Sequence, residues 1–388
     1  MNNFRFCVGT DILFGKNQLK NLPKAMQVYG KKVLLVFGGG SIKQSGLYDK
    51  LLFELKDFEI HELSGVEPNP RVETVRKGVE VCREKGIEVL LAVGGGSTID
   101  CAKAIAAATF YEGDAWDMVL NAADGSIGKT LPVCTVLTLA ATGSEMDSAA
   151  VVSNLETREK LTIINSGLLP KCSVLDPENT FSVPEAQTAA GSVDIMSHVM
   201  EVYFGSEKTF LTDRICEALL KTVIQFAPIA LEEPRDFEAR ANLMWASSLA
   251  INGLCNAGKA HDWSCHYIEH ELSAYYDITH GVGLAIVTPQ WMRYVLNENT
   301  VDKFATFAVN VWNVDEKLDK FEQANEGIKC LESFFKKLAI PMTLSEVNIG
   351  ETHFEAMAKH AVKHTGLNKY SYVLLNEKDI VAILKMCL

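Results

Sequence analysis

Residues 89–98 have the sequence Val-Leu-Leu-Ala-Val-Gly-Gly-Gly-Ser-Thr, a short apolar run that stops at three glycines. The same pattern occurs earlier in the chain, where Val-Leu-Leu-Val-Phe at residues 33–37 leads into Gly-Gly-Gly-Ser at residues 38–41. Each apolar run is typical of a buried strand, and a helical pattern follows each glycine turn. Strand, glycine turn and helix in succession predict βαβ units with parallel strands.

This α/β pattern covers the first part of the chain and then gives way to helices alone. Strands are predicted at 33–37, 59–63, 89–93, 133–137 and 173–175, and helices at 46–56, 71–85 and 98–108. Beyond residue 182 the predicted helices are 185–204, 210–231, 236–256, 263–274, 281–296, 300–312, 317–337, 351–364 and 376–386. Ser182 and Glu185 have capping-box spacing at the start of this helical part.

We therefore expect two domains. Residues 1–182 would form an N-terminal α/β domain with a mostly parallel sheet, and residues 183–388 an all-α C-terminal domain. The interdomain cleft is the default position for a binding site in such a protein.

Composition excludes several classes of function. The chain has 388 residues, 37 basic and 49 acidic side chains and a formal charge of −12, so binding to nucleic acid is disfavoured. It contains neither a signal peptide nor an apolar run long enough for a membrane span, which predicts a cytoplasmic protein. Its ten cysteines are scattered without a CxxC pair, which favours buried free thiols over disulfides or a thiolate metal site.

The two glycine turns are the candidate nucleotide site. Glycines at the carboxyl end of a strand let the backbone approach a pyrophosphate, and the following helix N-terminus offers unpaired N–H groups. The candidate cofactor-binding residues are Gly38, Gly39, Gly40, Ser41, Gly94, Gly95, Gly96, Ser97, Thr98 and Asp100. The alternative is a pair of tight turns without a ligand, because neither turn has the GxGxxG spacing of the ordinary dinucleotide fingerprint.

Two further features concern the same cofactor. After the first turn, Ser41 and Lys43 stand where an acidic residue would hold a ribose 2′-hydroxyl, which favours NADP over NAD. Thr138 and Thr142 belong to a third loop after a strand and offer hydroxyls as cofactor ligands. In the alternative interpretation, these hydroxyls satisfy only their own backbone.

Histidines and one aspartate suggest a metal site. Asp194 and His198 share one face of an apolar helix with Glu201, and such a buried polar stripe needs a partner or a metal. Four of the nine histidines, His261, His266, His270 and His280, fall within twenty residues. Oxygen and imidazole ligands suit Fe(II) or Zn(II). Spacing alone does not decide between His266 with His270 and His266 with His280, and hydrogen-bonded core histidines remain the alternative.

A competing set of histidines lies near the C-terminus. His353, His360 and His364 also have helical spacing, but they lack an apolar setting and an aligned carboxylate. We expect these three side chains to lie on a solvated face.

Taken together, these residues resemble the iron-containing alcohol dehydrogenase family, in particular its butanol dehydrogenase and aldehyde reductase branch. The resemblance covers essentially the whole chain and is most specific at residues 191–201 and 262–289. It implies a dehydroquinate synthase-like fold with a Rossmann-like N-terminal α/β domain and a helical metal-binding domain, usually in a dimer. It also implies that Asp194, His198, His266 and His280 bind the metal, with His270 beside the metal and the nicotinamide.

The resulting hypothesis is a dehydrogenase that uses Fe(II) or Zn(II) and NADP or NAD to interconvert short primary alcohols, such as butanol, and aldehydes. Asp194, His198, His266, His280 and His270 would form the catalytic site, with the metal as Lewis acid and His270 in the proton path. Two alternatives are a dehydroquinate synthase-like lyase and a nucleotide-binding protein without turnover. The lyase needs Lys and Arg around an anionic substrate, and residues 260–289 contain neither.

Overall fold

The structure is a computed structural model that describes residues 1–205, 207, 209–260 and 262–388. His261, one of the clustered histidines, lies outside the described residues. The chain divides into two compact units. The α/β unit contains Cys7–Val183 and Pro234–Asn252, and the helical unit contains Met1–Phe6, Pro184–Glu233 and Gly253–Leu388. The main division, between Val183 and Pro184, thus falls one residue from the boundary predicted from the sequence. Met1–Phe6 and Pro234–Asn252, however, each belong to the unit other than the one predicted.

The α/β unit is built on a six-stranded sheet in which every pairing is parallel. Its strands in spatial order are β1 (Asp11–Phe14), β8 (Cys172–Leu175), β5 (Val133–Leu137), β4 (Val89–Gly94), β2 (Lys32–Phe37) and β3 (Glu59–Leu63). The helices are α1 (Leu22–Met26), α2 (Ser41–Gln44), α3 (Leu47–Glu54), α4 (Val72–Lys85), α5 (Gly96–Ala108), α6 (Ala115–Leu120) and α9 (Phe237–Ile251). An antiparallel ribbon joins β6 (Ala149–Asn154) to β7 (Glu159–Ile164). The predicted parallel sheet is confirmed, whereas β1, β6 and β7 were not predicted.

The central strands have no solvent-exposed face. All six residues of β4 are buried, as are Val33–Phe37 of β2. A continuous apolar strand is what a parallel sheet covered on both faces requires. One core cluster on this sheet also includes Met244 of α9, so α9 contributes to the interior of the α/β unit.

The helical unit contains the remaining helices. They are α7 (Glu185–Tyr203), α8 (Phe210–Glu232), α10 (Ser264–Tyr276), α11 (His280–Val295), α12 (Val301–Trp312), α13 (Lys320–Lys337), α14 (Phe354–Thr365), α15 (Leu367–Tyr370) and α16 (Glu377–Met386). Among the described residues, every helix is too short or too polar to cross a lipid bilayer. The predicted all-α character is confirmed.

Helix α7 is the central helix of this unit. Every residue from Thr188 to Tyr203 is buried, which agrees with its apolar character on nearly all sides. The predicted capping box between Ser182 and Glu185 is wrong. The N-cap residue is Pro184, and no side chain accepts a hydrogen bond there. Proline at this position already fixes the backbone for the first turn, and Ser182 lies two residues too early to cap it.

Candidate metal centre and cofactor turns

Three helices bring the predicted metal ligands together. Asp194 and His198 lie one turn apart on α7, His266 lies on α10, and His280 is the first residue of α11. All four belong to the helical unit. Asp194, His198 and His266 are each 5% exposed or less, so their polar atoms are largely withdrawn from water.

A close helix contact places His280. A Cβ atom built on Gly281 would lie 2.0 Å from the backbone oxygen of Ala190, so glycine lets α11 begin directly against α7. This contact leaves His280, the preceding residue, beside Asp194. The sequence therefore needs a small residue immediately after the histidine.

The distances from Asp194 Oδ1 to three imidazole nitrogens are compatible with a shared cation. Asp194 Oδ1 lies 3.7 Å from His198 Nε2, 3.8 Å from His266 Nε2 and 3.7 Å from His280 Nε2. These separations are too long for hydrogen bonds. Four ligands bound tetrahedrally at ~2.1 Å would be about 3.4 Å apart, close to the observed spacing. Among the described residues, Asp194 Oδ1 and His266 Nε2 are buried without a hydrogen-bond partner, as expected of atoms that bind a cation.

Two carboxylates orient two of the imidazoles. Glu201 Oε1 accepts hydrogen bonds from the backbone N–H of His266 at 2.7 Å and from its Nδ1 at 3.0 Å. Glu269 Oε2 is the corresponding partner of His280 Nδ1. Because Nδ1 carries the proton in each ring, Nε2 keeps its lone pair for a metal. From the sequence, Glu201 was expected on the same helix face as Asp194 and His198, but its role in orienting His266 was not predicted. Glu269 was missed, because its only indication in the sequence was a carboxylate in an otherwise buried helix.

The start of α10 is fixed to the end of α7. The backbone N–H of Asp262 donates to the backbone oxygen of Glu201 at 3.1 Å, and Asp262 Oδ1 accepts from the Ser264 N–H at 2.8 Å. Between them, Trp263 has a φ of 65°, a left-handed conformation that is unusual for an aromatic residue. Its ring packs edge-on against His266 with the centroids 4.9 Å apart. Sequence reasoning gave no sign of this support.

Burial and mutual charge set the protonation of the site without a cation. Burial opposes ionisation of Asp194, but the neighbouring imidazoles outweigh it and lower its pKa to about 2. Burial lowers the pKa of His198 to about 4, despite the attraction of Asp194. Burial also opposes charge on His266, but Asp194 and Glu201 raise its pKa to about 9. At neutral pH the site thus contains a carboxylate and a neutral imidazole, and a cation would replace the proton on His266.

His270 lies beside this cluster. Its ring centroid is 5.6 Å from that of His280 and 6.4 Å from that of His266, and the residue is 7% exposed. His280 Nε2, by contrast, lies 3.7 Å from Asp194 Oδ1. This distance supports His280 as a donor beside Asp194, a choice that spacing alone left open.

The two glycine turns lie side by side in the α/β unit. A Cβ atom on Gly38 would lie 4.0 Å from Thr98 Oγ1, which belongs to the second turn. At the first turn, Gly40 has a φ of 110°, and a Cβ atom on Gly39 would meet nothing within 4 Å. The space over Gly39 leaves room for a ligand to approach the backbone.

Glycine in the second turn is required by neighbouring side chains. A Cβ atom on Gly94 would lie 2.4 Å from Thr98 Oγ1, and one on Gly96 would lie 2.4 Å from Thr142. Helix α5 begins at Gly96, includes Ser97 and runs for 13 residues, and the N–H groups of Thr98 and Ile99 in its first turn donate to the Gly95 backbone oxygen. The turn therefore has a structural reason for its glycines, whether or not it binds a phosphate.

The remaining predicted cofactor residues are partly engaged within the protein. Thr142 Oγ1 accepts from the Ser144 N–H at 3.1 Å, the alternative that the sequence left open. Asp100 accepts from Ser144 Oγ at 2.6 Å and from the Val151 N–H at 2.9 Å. These bonds favour a positioning role for Asp100. The backbone N–H of Thr138 donates to the Gly94 oxygen at 3.0 Å, which sets its loop beside the second turn.

A fully buried lysine strengthens the same region. Lys103 donates to Ser144 Oγ at 2.9 Å, to the Ala149 oxygen at 2.8 Å and to Asp147 Oδ1 at 2.5 Å. This network attaches α5 to the loop that follows β5.

All ten cysteines are free, and all are buried except Cys7 and Cys330.

A parallel α/β unit with strand–glycine–helix turns, and a helical unit with one carboxylate and three imidazoles around one point, define a metal-dependent enzyme that uses a dinucleotide. Comparison with known proteins agrees. Residues 9–177 match the family model described as iron-containing alcohol dehydrogenase, and residues 188–388 match the C-terminal model of the Fe-containing alcohol dehydrogenase family. The chain belongs to the iron-containing alcohol dehydrogenase family.

Individual relatives lie in the branch that the sequence indicated. The chain is 52% identical to NADH-dependent butanol dehydrogenase A of Clostridium acetobutylicum, over 99% of both chains. It is 38% identical to an NADPH-dependent aldehyde reductase of Escherichia coli over 94% of both. The crystal structure of NADH-dependent butanol dehydrogenase A from Thermotoga maritima superposes with a TM-score of 0.94 at 38% identity, covering 100% of this chain and 99% of that one.

Proposed function

We propose that the protein is a metal-dependent NAD(P)(H) alcohol dehydrogenase and aldehyde reductase that interconverts short primary alcohols, such as butanol, and the corresponding aldehydes. As a member of its family it is an oxidoreductase that acts on alcohols with a nicotinamide cofactor and a metal. The observation that carries the proposal is the set of three Nε2 atoms 3.7–3.8 Å from Asp194 Oδ1. The names of the butanol dehydrogenase relatives support the substrate class.

Each side chain of the metal centre has a role in this proposal. When bound, the metal and the nicotinamide supply Lewis acidity toward a substrate oxygen and a hydride carrier. Asp194, His198, His266 and His280 hold the cation, Fe(II) or Zn(II), because their oxygen and nitrogen donors suit both ions. Buried His270 is the nearby imidazole that can exchange a proton with the substrate oxygen, through water or the cofactor ribose.

The glycine turns hold the cofactor in the α/β unit. The pyrophosphate would be bound at Gly95–Thr98, by the N–H groups that open α5. Ser41 and Lys43 support NADPH, but Lys43 Nζ lies 3.7 Å from Glu62 Oε2, which offsets part of its positive charge. The relatives named above include both NADH- and NADPH-dependent enzymes. We therefore propose that both nucleotides are accepted.

The lyase alternative is disfavoured by charge. The nearest lysine to the 260–289 segment, Lys259, is paired with Asp213 at 2.6 Å. Its charge is thus already balanced within the protein, which leaves a poor site for a phosphorylated substrate.

A homodimer is part of the proposal. β1 is an edge strand that pairs only with β8 among the described strands, and Phe14 at its end is 37% exposed. An edge strand of this kind can be covered by a second copy.

The test is an initial-rate comparison on protein reconstituted separately with Fe(II) and with Zn(II). Reduction of aldehydes from ethanal to hexanal would be measured with NADH and with NADPH, together with bound metal. We expect His266→Ala to abolish both metal binding and reduction of butanal, because it removes a ligand that Glu201 orients. His61→Ala in the α/β unit is the matched control and should retain both. Full activity in metal-free His266→Ala protein would disprove the proposal.

A further inference from the structure

A second histidine pair lies on α14, apart from the four donors around Asp194. His360 and His364 are one helical turn apart, and their ring centroids are separated by 4.4 Å. One nitrogen of each ring lies within 4.8 Å of a nitrogen of the other. The buried residues of α14 are Phe354, Met357, Ala358 and Ala361, and they anchor the helix in the helical unit. The pair therefore lies on a helix that is held by its apolar face.

A buried carboxylate orients one of the two rings. His360 Nδ1 lies 3.2 Å from Oε1 of Glu271, a residue of α10 that is 6% exposed. With the Nδ1 proton held by this carboxylate, the lone pair of His360 is on Nε2. Glu201 and Glu269 impose the same arrangement on His266 and His280.

His353, His360 and His364 are not buried, in line with the expectation of a solvated face, but His360 has an aligned carboxylate that was not expected. The carboxylate was missed because it comes from α10, and spacing along α14 gives no information about a neighbouring helix.

We propose that His360 and His364 form a second divalent metal site, which takes an imidazole-preferring transition ion such as Zn(II), Ni(II) or Cu(II). Two nitrogens bound to one tetrahedral ion are about 3.4 Å apart, so a small side-chain rotation brings the pair into position. Mg(II) and Ca(II) are poor candidates because they prefer oxygen ligands.

Affinity at this pair is lower than at the Asp194 centre, because two imidazoles contribute where the other site has four protein donors. A bound ion would link residues 360 and 364 and thereby stabilise the last turn of α14, which ends at Gly366 with a φ of 73°.

The test uses Ni(II) as the probe on holoenzyme whose first site is already occupied. Isothermal titration should find one additional Ni(II) equivalent in wild-type protein and none in the double variant His360→Gln/His364→Gln. Metal analysis after the titration should show that the resident ion stays bound. His353→Gln, at the start of the same helix, is the matched control and should bind Ni(II) like wild type.

A second variant separates ligand loss from misfolding. Glu271→Gln keeps both imidazoles but weakens the orientation of His360, so the Ni(II) affinity should fall by about tenfold. The thermal midpoint of wild type should rise with Ni(II), whereas that of the double variant should not. The proposal is overturned if wild type binds no additional Ni(II) up to millimolar concentration, or if the double variant binds it equally well.

Discussion

The chemistry of the metal centre depends on which nitrogen of each histidine is free. Glu201 and Glu269 hold the Nδ1 protons of His266 and His280, so both rings present Nε2 toward Asp194. The function of an imidazole here is thus fixed by residues that sequence motifs for metal ligands do not include.

At the same scale, Glu145 makes stability depend on pH. The side chain is fully buried, and Oε2 has no hydrogen-bond partner among the described residues. Burial raises its pKa from 4.5 to about 7, although a hydrogen bond from Ser248 opposes the rise. The folded protein therefore holds this proton more tightly than the unfolded chain does. Its contribution to stability is complete below pH ~4.5 and is lost as the pH rises through ~7.

We predict that Glu145→Gln removes this pH dependence. Relative to wild type, the free energy of unfolding of the variant should increase between pH 5 and 8 by up to about 3 kcal/mol. Urea unfolding at several pH values measures the difference. Glu238→Gln changes an exposed carboxylate on α9 and should show no such trend. A difference that stays constant with pH would show that Glu145 is already ionised in the folded protein.

At the scale of elements, the contact of α11 with α7 sets the geometry of the metal centre. We predict that Gly281→Ala weakens metal binding by about tenfold or more. The added Cβ would lie 2.0 Å from the Ala190 oxygen, and because that atom belongs to the backbone, α11 must move. His280 moves with it, away from Asp194. Metal affinity by competition with a chelator is the measurement.

Gly327→Ala is the matched control for this prediction. Its Cβ would lie 2.7 Å from Ala308 Cβ, where α13 packs on α12. This variant should lower the thermal midpoint without changing metal affinity. Equal metal affinities in Gly281→Ala and wild type would mean that α11 can shift without displacing His280.

Elements differ in how well the sequence predicts them. The strands β2, β4 and β5 are buried at every position except Lys32, and the sequence places each within one residue of its observed bounds. β1 was missed because it has four residues and no buried position. β6 and β7 were missed because the order of their polar and apolar residues follows which positions are buried against α5 and α6. That burial depends on tertiary packing, which the local sequence does not encode.

The residues of the metal centre could likewise be predicted only in part from the sequence. Asp194 and His198 could be paired from the sequence because one helix presents both on one face. His266 and His280 come from two helices, so their meeting depends on packing that spacing does not encode. The resemblance to a family supplied that choice, and Glu269 remained unpredicted.

At the scale of the whole molecule, the formal charge of −12 opposes binding of an anionic cofactor. We predict that added salt lowers the KM for NADPH, and lowers it more than the KM for NADH, because NADPH carries an additional phosphate. Salt screens repulsion beyond about 10 Å at 0.1 M. Initial rates over a range of NaCl concentrations measure both values. A KM for NADPH that rises with salt would instead indicate that a local cation such as Lys43 dominates.

The two units are also interleaved along the chain, which has a consequence for protein synthesis. Helix α9 supplies Met244 to the core of the α/β unit and Ser248 to Glu145, yet Pro184–Glu233 of the helical unit precede it. On the ribosome, Asp194 and His198 therefore emerge before the α/β unit has all of its segments. Folding during translation cannot complete one unit before the other begins, and a nascent chain that stalls near residue 233 would lack the helix that covers Glu145.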